Sequence, residues 1–98
     1  MIGSFKDGDK CALAHFYREG IRSASIPATI VKPLRRKLSI IEAASSEKSL
    51  GSPPGNHYGR LAGQLSGGSS IRVSIQWRLV FRWQDGRAWD IWLDPHKY

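Results

Sequence analysis

Two arginines, an aspartate and a histidine in the C-terminal third of the chain could together act on a phosphodiester. Arg72 and Arg78 lie in the stretch SIRVSIQWRLVFRW, and Asp94 and His96 follow in LDPHKY. RNA cleavage needs a group that takes the 2′-hydroxyl proton, an acid for the leaving 5′-oxygen, and cations for the developing charge. Histidine titrates near neutral pH, and guanidinium forks match phosphate oxygens. These four residues therefore form a candidate site for RNA cleavage.

The alternation of the arginine-bearing stretch predicts how its side chains meet. From Ser70 to Trp83 the odd positions are apolar and the even positions are polar apart from Val80, which is typical of strands with one buried face. These fourteen residues are too many for an ordinary strand, so we expect a turn at 74–76. Apolar residues are odd-numbered on both sides of that turn, which requires a loop with an odd number of residues. A three-residue loop sets Arg72 opposite Arg78.

The next turn, WQDGRAW, must also keep the odd-numbered apolar residues of both strands on one face. Asp85-Gly86 is a strong signal for a two-residue hairpin turn. A strict two-residue turn would mix the polar and apolar faces, so we expect a three-residue loop, Asp85-Gly86-Arg87. The expected cross-strand pairs are Trp83 with Trp89, Phe81 with Ile91 and Leu79 with Leu93 on the apolar face, and Arg82 with Asp90 and Arg78 with Asp94 on the polar face.

The pairing of Arg72 with Arg78 is unfavourable for stability, because like charges directly opposed across strands repel each other. Two explanations are open from the residues alone. A bound phosphate would compensate both guanidinium groups. Alternatively, the two side chains splay into water, and Asp94 serves as the counter-ion of Arg78.

Two helices are predicted before these strands. The first lies in DGDKCALAHFYREG, with Asp7 or Asp9 as its N-terminal cap and Gly20 as its stop. The second lies in ATIVKPLRRKLSIIEAASSEKSL and should start near Thr29, so that Pro33 falls in its first turn. MIGSF and RLAGQLSG are short strand candidates. The order predicts a single α+β domain over residues 1–98, with two N-terminal helices packed on one face of a small, mainly antiparallel sheet of four or five strands.

The second helix carries a predicted exposed basic face, formed by Lys32, Arg35, Arg36 and Lys37. One interpretation is a solvated helix face. The other is a docking surface for an acidic partner or for phosphate.

The charge, the cysteine count and the absence of certain sequence patterns indicate which kinds of partner and site this chain can have. The chain has 98 residues, 41% of them hydrophobic, and a net charge of +7, which favours a polyanion or an acidic protein as partner. A single cysteine, Cys11, excludes an internal disulfide and fits a reducing cytoplasm. We expect no membrane span, no metal site and no cofactor, because long apolar runs, metal-ligand spacings and glycine-rich phosphate loops are missing from the sequence.

Several motifs resemble those of a known family. MIGSF, LRRKLSIIEAAS, SPPGN, SIRVSIQWRLVFRW and DPHKY occur in the order found in the HigB-type plasmid-maintenance killer toxins of the RelE/ParE superfamily. The resemblance covers almost the whole chain. It implies a RelE-like fold and a ribosome-dependent, metal-independent endoribonuclease that cuts mRNA in the ribosomal A site. It also implies a cytoplasmic toxin neutralised by a HigA-type helix-turn-helix antitoxin, with operator DNA bound only through that antitoxin.

The resemblance also implies roles for individual residues. Arg78 matches the phosphate-binding arginine of the family, and Asp94 and His96 match its C-terminal acid and histidine. The RNA-binding set implied by position or proximity is Arg72, Arg60, His57, Lys97 and Tyr98. Three positions depart from the family pattern, namely Gly59, Ala62 and Pro95, which replace a histidine, a lysine and a tyrosine. Weaker cleavage or a different substrate placement is the expected result.

Two other function classes are open at this point. The related ParE branch implies a non-enzymatic toxin that poisons gyrase and does not need Asp94 or His96. A plain RNA-binding domain would bind RNA without any effect on growth.

Overall fold

A computed structural model describes residues 1–8, 10–51, 59–60 and 68–95, with only the backbone described at 59–60. It contains two helices, α1 (Ala12–Glu19) and α2 (Val31–Ala43), and two 3-10 turns, Ala28–Ile30 and Lys48–Gly51. The strands are β1 (Gly59–Arg60), β2 (Ser69–Arg72), β3 (Trp77–Gln84) and β4 (Arg87–Pro95), paired antiparallel in that order. The fold is therefore α+β, as predicted. Three of the described strands are longer than two residues, and they carry most of the sheet.

Helix α1 is capped by a cysteine instead of an aspartate. The backbone N–H of Ala14 donates to the Sγ atom of Cys11 at 3.4 Å. The prediction of Asp7 as the cap is wrong because the helix starts at Ala12, and Asp9 lies outside the described residues. At the other end, Gly20 adopts a left-handed conformation with φ of 73° and donates to the carbonyl of Phe16, as predicted.

Helix α2 follows a 3-10 turn and begins at Val31, so Pro33 lies in its first turn, as expected. Leu34, Leu38 and Ile41 are buried. The helix ends at Ala43, well before the end of the predicted helical stretch, and Ala44 is extended.

Lys37 does not belong to the exposed face of α2. It is only 9% exposed, because positions 34, 37, 38 and 41 form one helical stripe. Burial lowers the pKa of the Lys37 ammonium, and the nearby charge of Arg36 lowers it further. Lys32, Arg35 and Arg36 are exposed and form the actual basic face of the helix.

Buried side chains from the helices and from β2, β3 and β4 belong to one hydrophobic cluster. The helical members are Leu13, Ala14, Phe16, Leu34, Leu38 and Ile41. The strand members are Ile71, Leu79, Phe81, Ala88 and Ile91, and Val73 joins them directly after β2.

The β3–β4 hairpin differs from the predicted three-residue loop. Its turn is two residues long, with Asp85 and Gly86 at φ of 53° and 75° between the paired residues Gln84 and Arg87. Both φ values are positive, as type I′ hairpin turns require. The expected three-residue loop is therefore wrong.

A β-bulge restores the register beyond the turn. Arg82 pairs with Trp89, whereas Val80 pairs with Trp92, so β4 holds one more residue than β3 over this interval. Asp90 lies at the bulge with φ of 55°. The expected pairs Trp83–Trp89 and Arg82–Asp90 are consequently wrong, and the register shift also removes the Phe81–Ile91 pair. The bulge is the physical reason why Leu79–Leu93 and Arg78–Asp94 nevertheless pair as predicted.

The first residues of the chain pair with the outer edge of β4. Ile2 and Phe5 form parallel bridges with Ala88 and Ile91, which agrees with the strand-like pattern of MIGSF. The Ser4 hydroxyl accepts a hydrogen bond from the Asp90 N–H at 3.0 Å, directly at the bulge. The N-terminal segment therefore covers this edge and satisfies backbone groups at the bulge.

Substitutions at Asp90 test the bulge. Asp90→Val should lower the free energy of unfolding by about 1–2 kcal/mol, because a β-branched residue at positive φ is strained. Asp90→Gly should be neutral or stabilising, because glycine adopts that conformation without strain. Urea titrations of both variants and the parent protein measure the difference. Equal loss in both variants would mean that the Asp90 side chain, and not its backbone conformation, matters for stability.

Tyr17 joins the two helices through Glu42. Burial raises the pKa of the Tyr17 phenol, and the charge of the Glu42 carboxylate and a hydrogen bond to it raise the pKa further. Glu42 Oε2 also accepts a hydrogen bond from the Ile2 N–H at 2.9 Å. One carboxylate therefore connects α1, α2 and the N-terminal segment.

This contact predicts a loss of stability at alkaline pH. The phenol ionises near pH 10 in the unfolded chain and at a higher pH in the folded chain, so its contribution is complete below about pH 10 and is lost as the pH rises further. Above about pH 10 the unfolding free energy of the parent protein should therefore fall more steeply with pH than that of Tyr17→Phe. Parallel chemical denaturation curves over this range provide the measurement, and identical slopes would contradict the assignment.

Candidate functional site

Two arginines and one aspartate meet side by side on the polar face of the sheet. Arg72 at the end of β2 pairs with Arg78 on β3, and Arg78 pairs with Asp94 on β4. The tight loop after β2 fixes this arrangement, since the N–H groups of Val73 and Ser74 both donate to the carbonyl of Trp77. The predicted pairs Arg72–Arg78 and Arg78–Asp94 are both confirmed. These three residues are called the arginine row below.

Arg78 and Asp94 form a partly buried ion pair. The Nε–H of Arg78 donates to Asp94 Oδ2 at 2.8 Å, and their side chains are 23% and 17% exposed. A guanidinium carries five N–H donors, so this contact through Nε leaves the donors of the two Nη atoms for other acceptors. Asp94 therefore fixes the plane of the guanidinium without using up its hydrogen-bonding capacity.

Arg72 completes the site as a second cation. It is half-buried, and no acceptor among residues 1–8, 10–51 and 68–95 bonds to its side chain. The row thus holds two guanidinium groups and one carboxylate. Such an arrangement can bind an anion with oxygens on several sides, and phosphate has the matching geometry.

Five of the predicted site residues have no described side chain. His57, His96, Lys97 and Tyr98 lie outside the described residues. For Arg60 the backbone alone is described, in register with Ser69. The roles expected for these five residues stay predictions.

A second group of side chains lies further along the same face and was not predicted. Trp92 pairs with Val80, two residues from Arg78 along β3, and the Lys6 ammonium lies 4.4 Å from the centre of a Trp92 ring. Arg82 shares a cavity of about 180 Å³ with these side chains. The sequence signal for this group is the even, polar-face position of Trp92 in WDIWLD.

No metal centre is present in the described part of the chain, where no three His, Cys, Asp or Glu residues come together as ligands. None of the described helices is long and apolar enough to cross a membrane.

Comparison with known proteins identifies the family. A family model described as the RelE-like toxin of the type II toxin-antitoxin system HigB matches residues 4–96. The chain belongs to this family. Among curated proteins, it is 49% identical to Toxin HigB-1 of Vibrio cholerae serotype O1 over 86 residues, which cover 88% of this chain and 90% of the relative. It is also 37% identical over 86 residues to an uncharacterized protein of Haemophilus influenzae, covering 88% and 85% of the two chains.

Membership of the HigB family assigns the chain to the toxins of type II toxin–antitoxin systems, in which an antitoxin is the partner. At the level of the family, the action is that of a nuclease-type toxin. The arginine row lies within the matched residues, so the family assignment and the geometry refer to the same part of the chain.

Removing the carboxylate should expose the repulsion within the row. Asp94→Ala leaves Arg72 and Arg78 opposed without a counter-ion and removes a charge-assisted hydrogen bond, so the free energy of unfolding should fall by about 1.5–3 kcal/mol. Urea denaturation provides the measurement. Asp7→Ala is the control, because it deletes an equal charge at an exposed position. Similar losses in both variants would show that the ion pair does not stabilise the fold.

Proposed function

We propose that this HigB-family toxin is a ribosome-dependent, metal-independent mRNA endoribonuclease that acts in the ribosomal A site and thereby stops translation. The observation that carries the proposal is the row of two guanidinium groups and one carboxylate on one face of the sheet. The nuclease-type action of the family supports it.

The row suits the transition state of phosphodiester cleavage. Attack by the 2′-oxygen adds negative charge to the non-bridging oxygens of the phosphate. Arg72 and the Nη donors of Arg78 can contact these oxygens while Asp94 holds the guanidinium in place. Because the charge is greater in the transition state than in the substrate, preorganised cations lower the barrier. The need to neutralise that charge explains a pairing that costs stability in the free protein.

Proton transfer is assigned to the C-terminal end of the chain. We propose that His96 takes part in proton transfer, either as the base that accepts the 2′-hydroxyl proton or as the acid that donates a proton to the leaving 5′-oxygen. We also propose that Lys97, Tyr98, His57 and Arg60 contact the RNA. Pro95 follows Asp94 directly and is paired with Trp77 at the end of the sheet. His96 is two residues from Asp94 in the sequence, and this closeness along the chain supports its assignment to the reaction.

The partner proposed for neutralisation is a HigA-type helix-turn-helix antitoxin, through which alone the complex reaches operator DNA. The exposed basic face of Lys32, Arg35 and Arg36 on α2 supports docking of an acidic antitoxin segment on the helices. We also propose that both helices cover one face of the sheet as in the RelE-like fold, and the shared hydrophobic cluster supports this arrangement.

The central experiment compares Arg78→Ala with the parent toxin. The parent should arrest growth on induction and produce new mRNA 5′ ends confined to translated codons. Arg78→Ala should reduce cleavage about 100-fold or more, because it removes a cation aimed at the developing charge. Mapping of mRNA 5′ ends after induction provides the measurement.

Lys48→Ala is the matched control, because it removes one positive charge from an exposed position in another part of the chain. It should cut mRNA and arrest growth like the parent. Growth arrest by the parent toxin with intact mRNA and DNA-damage signalling would contradict the nuclease proposal and indicate gyrase poisoning.

A further inference from the structure

Arg82 is the most exposed cation on the polar face of β3, and the bulge changes its surroundings. The register sets it opposite Trp89 and not opposite an acid. No hydrogen bond or ion pair to its side chain occurs within residues 1–8, 10–51 and 68–95. An exposed guanidinium without a counter-ion costs little in water, but it is available for a ligand.

Two further side chains make this end of the face resemble a binding surface. Lys6 and the partly buried indole of Trp92 line the same cavity of about 180 Å³ as Arg82, together with Asp90 and Val80. The charges are therefore two cations and one carboxylate, the same combination as in the row of Arg72, Arg78 and Asp94. Indole rings are the side chains on which unpaired nucleobases stack, and cations beside them contact the phosphates.

The arginine row and the group of Lys6, Arg82 and Trp92 lie next to each other along β3 and β4. Arg78, Val80 and Arg82 occupy alternate positions of β3 and so project from the same face. Trp92 pairs with Val80 between the two arginines, next to Asp94 on β4. Arg78 and Arg82 are four residues apart, which corresponds to about 13 Å along the strand. A single phosphate cannot contact both arginines, so an RNA of more than two nucleotides is needed to occupy both groups.

We propose that the group formed by Lys6, Arg82 and Trp92 is a second binding site for single-stranded RNA, which holds the substrate strand beyond the phosphate bound by Arg72 and Arg78. This inference rests on the proposed function, because it extends the same RNA along the sheet. Lys6 and Arg82 contact the backbone of the strand, and the indole edge and exposed ring surface of Trp92 receive a base. Charge complementarity and continuity with the arginine row favour RNA over a protein ligand.

Probe length gives the test. The probes are fluorescein-labelled 2′-O-methyl RNAs, a dinucleotide and a decanucleotide, which have no free 2′-hydroxyl and cannot be cleaved by the proposed reaction. The parent protein should bind the decanucleotide more tightly. Arg82→Ala should weaken binding of the decanucleotide several-fold and leave binding of the dinucleotide nearly unchanged, because the single phosphate of the short probe is held at the arginine row. Fluorescence anisotropy titrations measure both dissociation constants.

Salt dependence and two further variants complete the design. Arg82→Ala should reduce the slope of log affinity against log salt by about 0.7 for the decanucleotide, the value for one phosphate contact on a single strand. Arg82→Lys should retain most of the affinity, because the charge remains. Lys48→Ala should leave the difference between the probes unchanged. Thermal denaturation verifies that each variant is folded.

The inference is overturned if Arg82→Ala affects both probes equally or neither, or if the parent protein does not prefer the longer probe. A loss of thermal stability without a loss of decanucleotide affinity would also overturn it and assign Arg82 a structural role. The proposed function fails separately, if the parent toxin produces no codon-confined mRNA ends. That result can occur while the length-dependent binding persists, so the two failures are distinguishable.

Discussion

One extra residue in β4 determines which side chains share a face of this sheet. The two-residue turn at Asp85-Gly86, continued without interruption, would set Arg78 opposite Leu93 and Asp94 opposite Trp77. The bulge at Asp90 shifts the register by one residue, so Asp94 meets Arg78 instead. The same shift brings Ala88, before the bulge, and Ile91, after it, both into the core. Core packing and the charged row thus depend on a single backbone irregularity.

The bulge requires support, because it places a non-glycine residue at positive φ and interrupts the strand pairing. The N-terminal segment supplies that support. Ser4 accepts hydrogen bonds from the N–H groups of Asp90 and Ile91, through its hydroxyl and its carbonyl respectively. Gly3 permits the approach, since a Cβ atom at this position would lie 2.8 Å from the Trp89 ring. Several separate features of the first five residues therefore serve one site in β4.

The alternation of apolar and polar residues predicts the arginine row, but it does not predict the turn and the bulge that produce this register. Alternation fixes only whether paired numbers add to an even or an odd sum, and a three-residue loop satisfies that condition as well as a two-residue turn followed by a bulge. The Asp-Gly dipeptide was the available signal for the second solution. The charge of Lys37 predicts an exposed position, but its helical spacing with Leu34 and Ile41 places it on the buried side of α2. The Cys11 cap had no comparable signal, because cysteine is not among the preferred capping residues.

The pairing of the N-terminal segment with β4 also has a consequence for the rate at which this protein folds. Ser4 and Asp90 are 86 residues apart in the sequence, so their contact closes a loop of almost the whole chain. Contacts between such distant segments raise the contact order, and domains rich in them fold slowly. A nascent chain emerging from the ribosome cannot complete the bulge until β4 has been synthesised. The alignment of Asp94 with Arg78 therefore has to wait until β4 has been synthesised, and a nascent chain that lacks β4 also lacks the complete charged row.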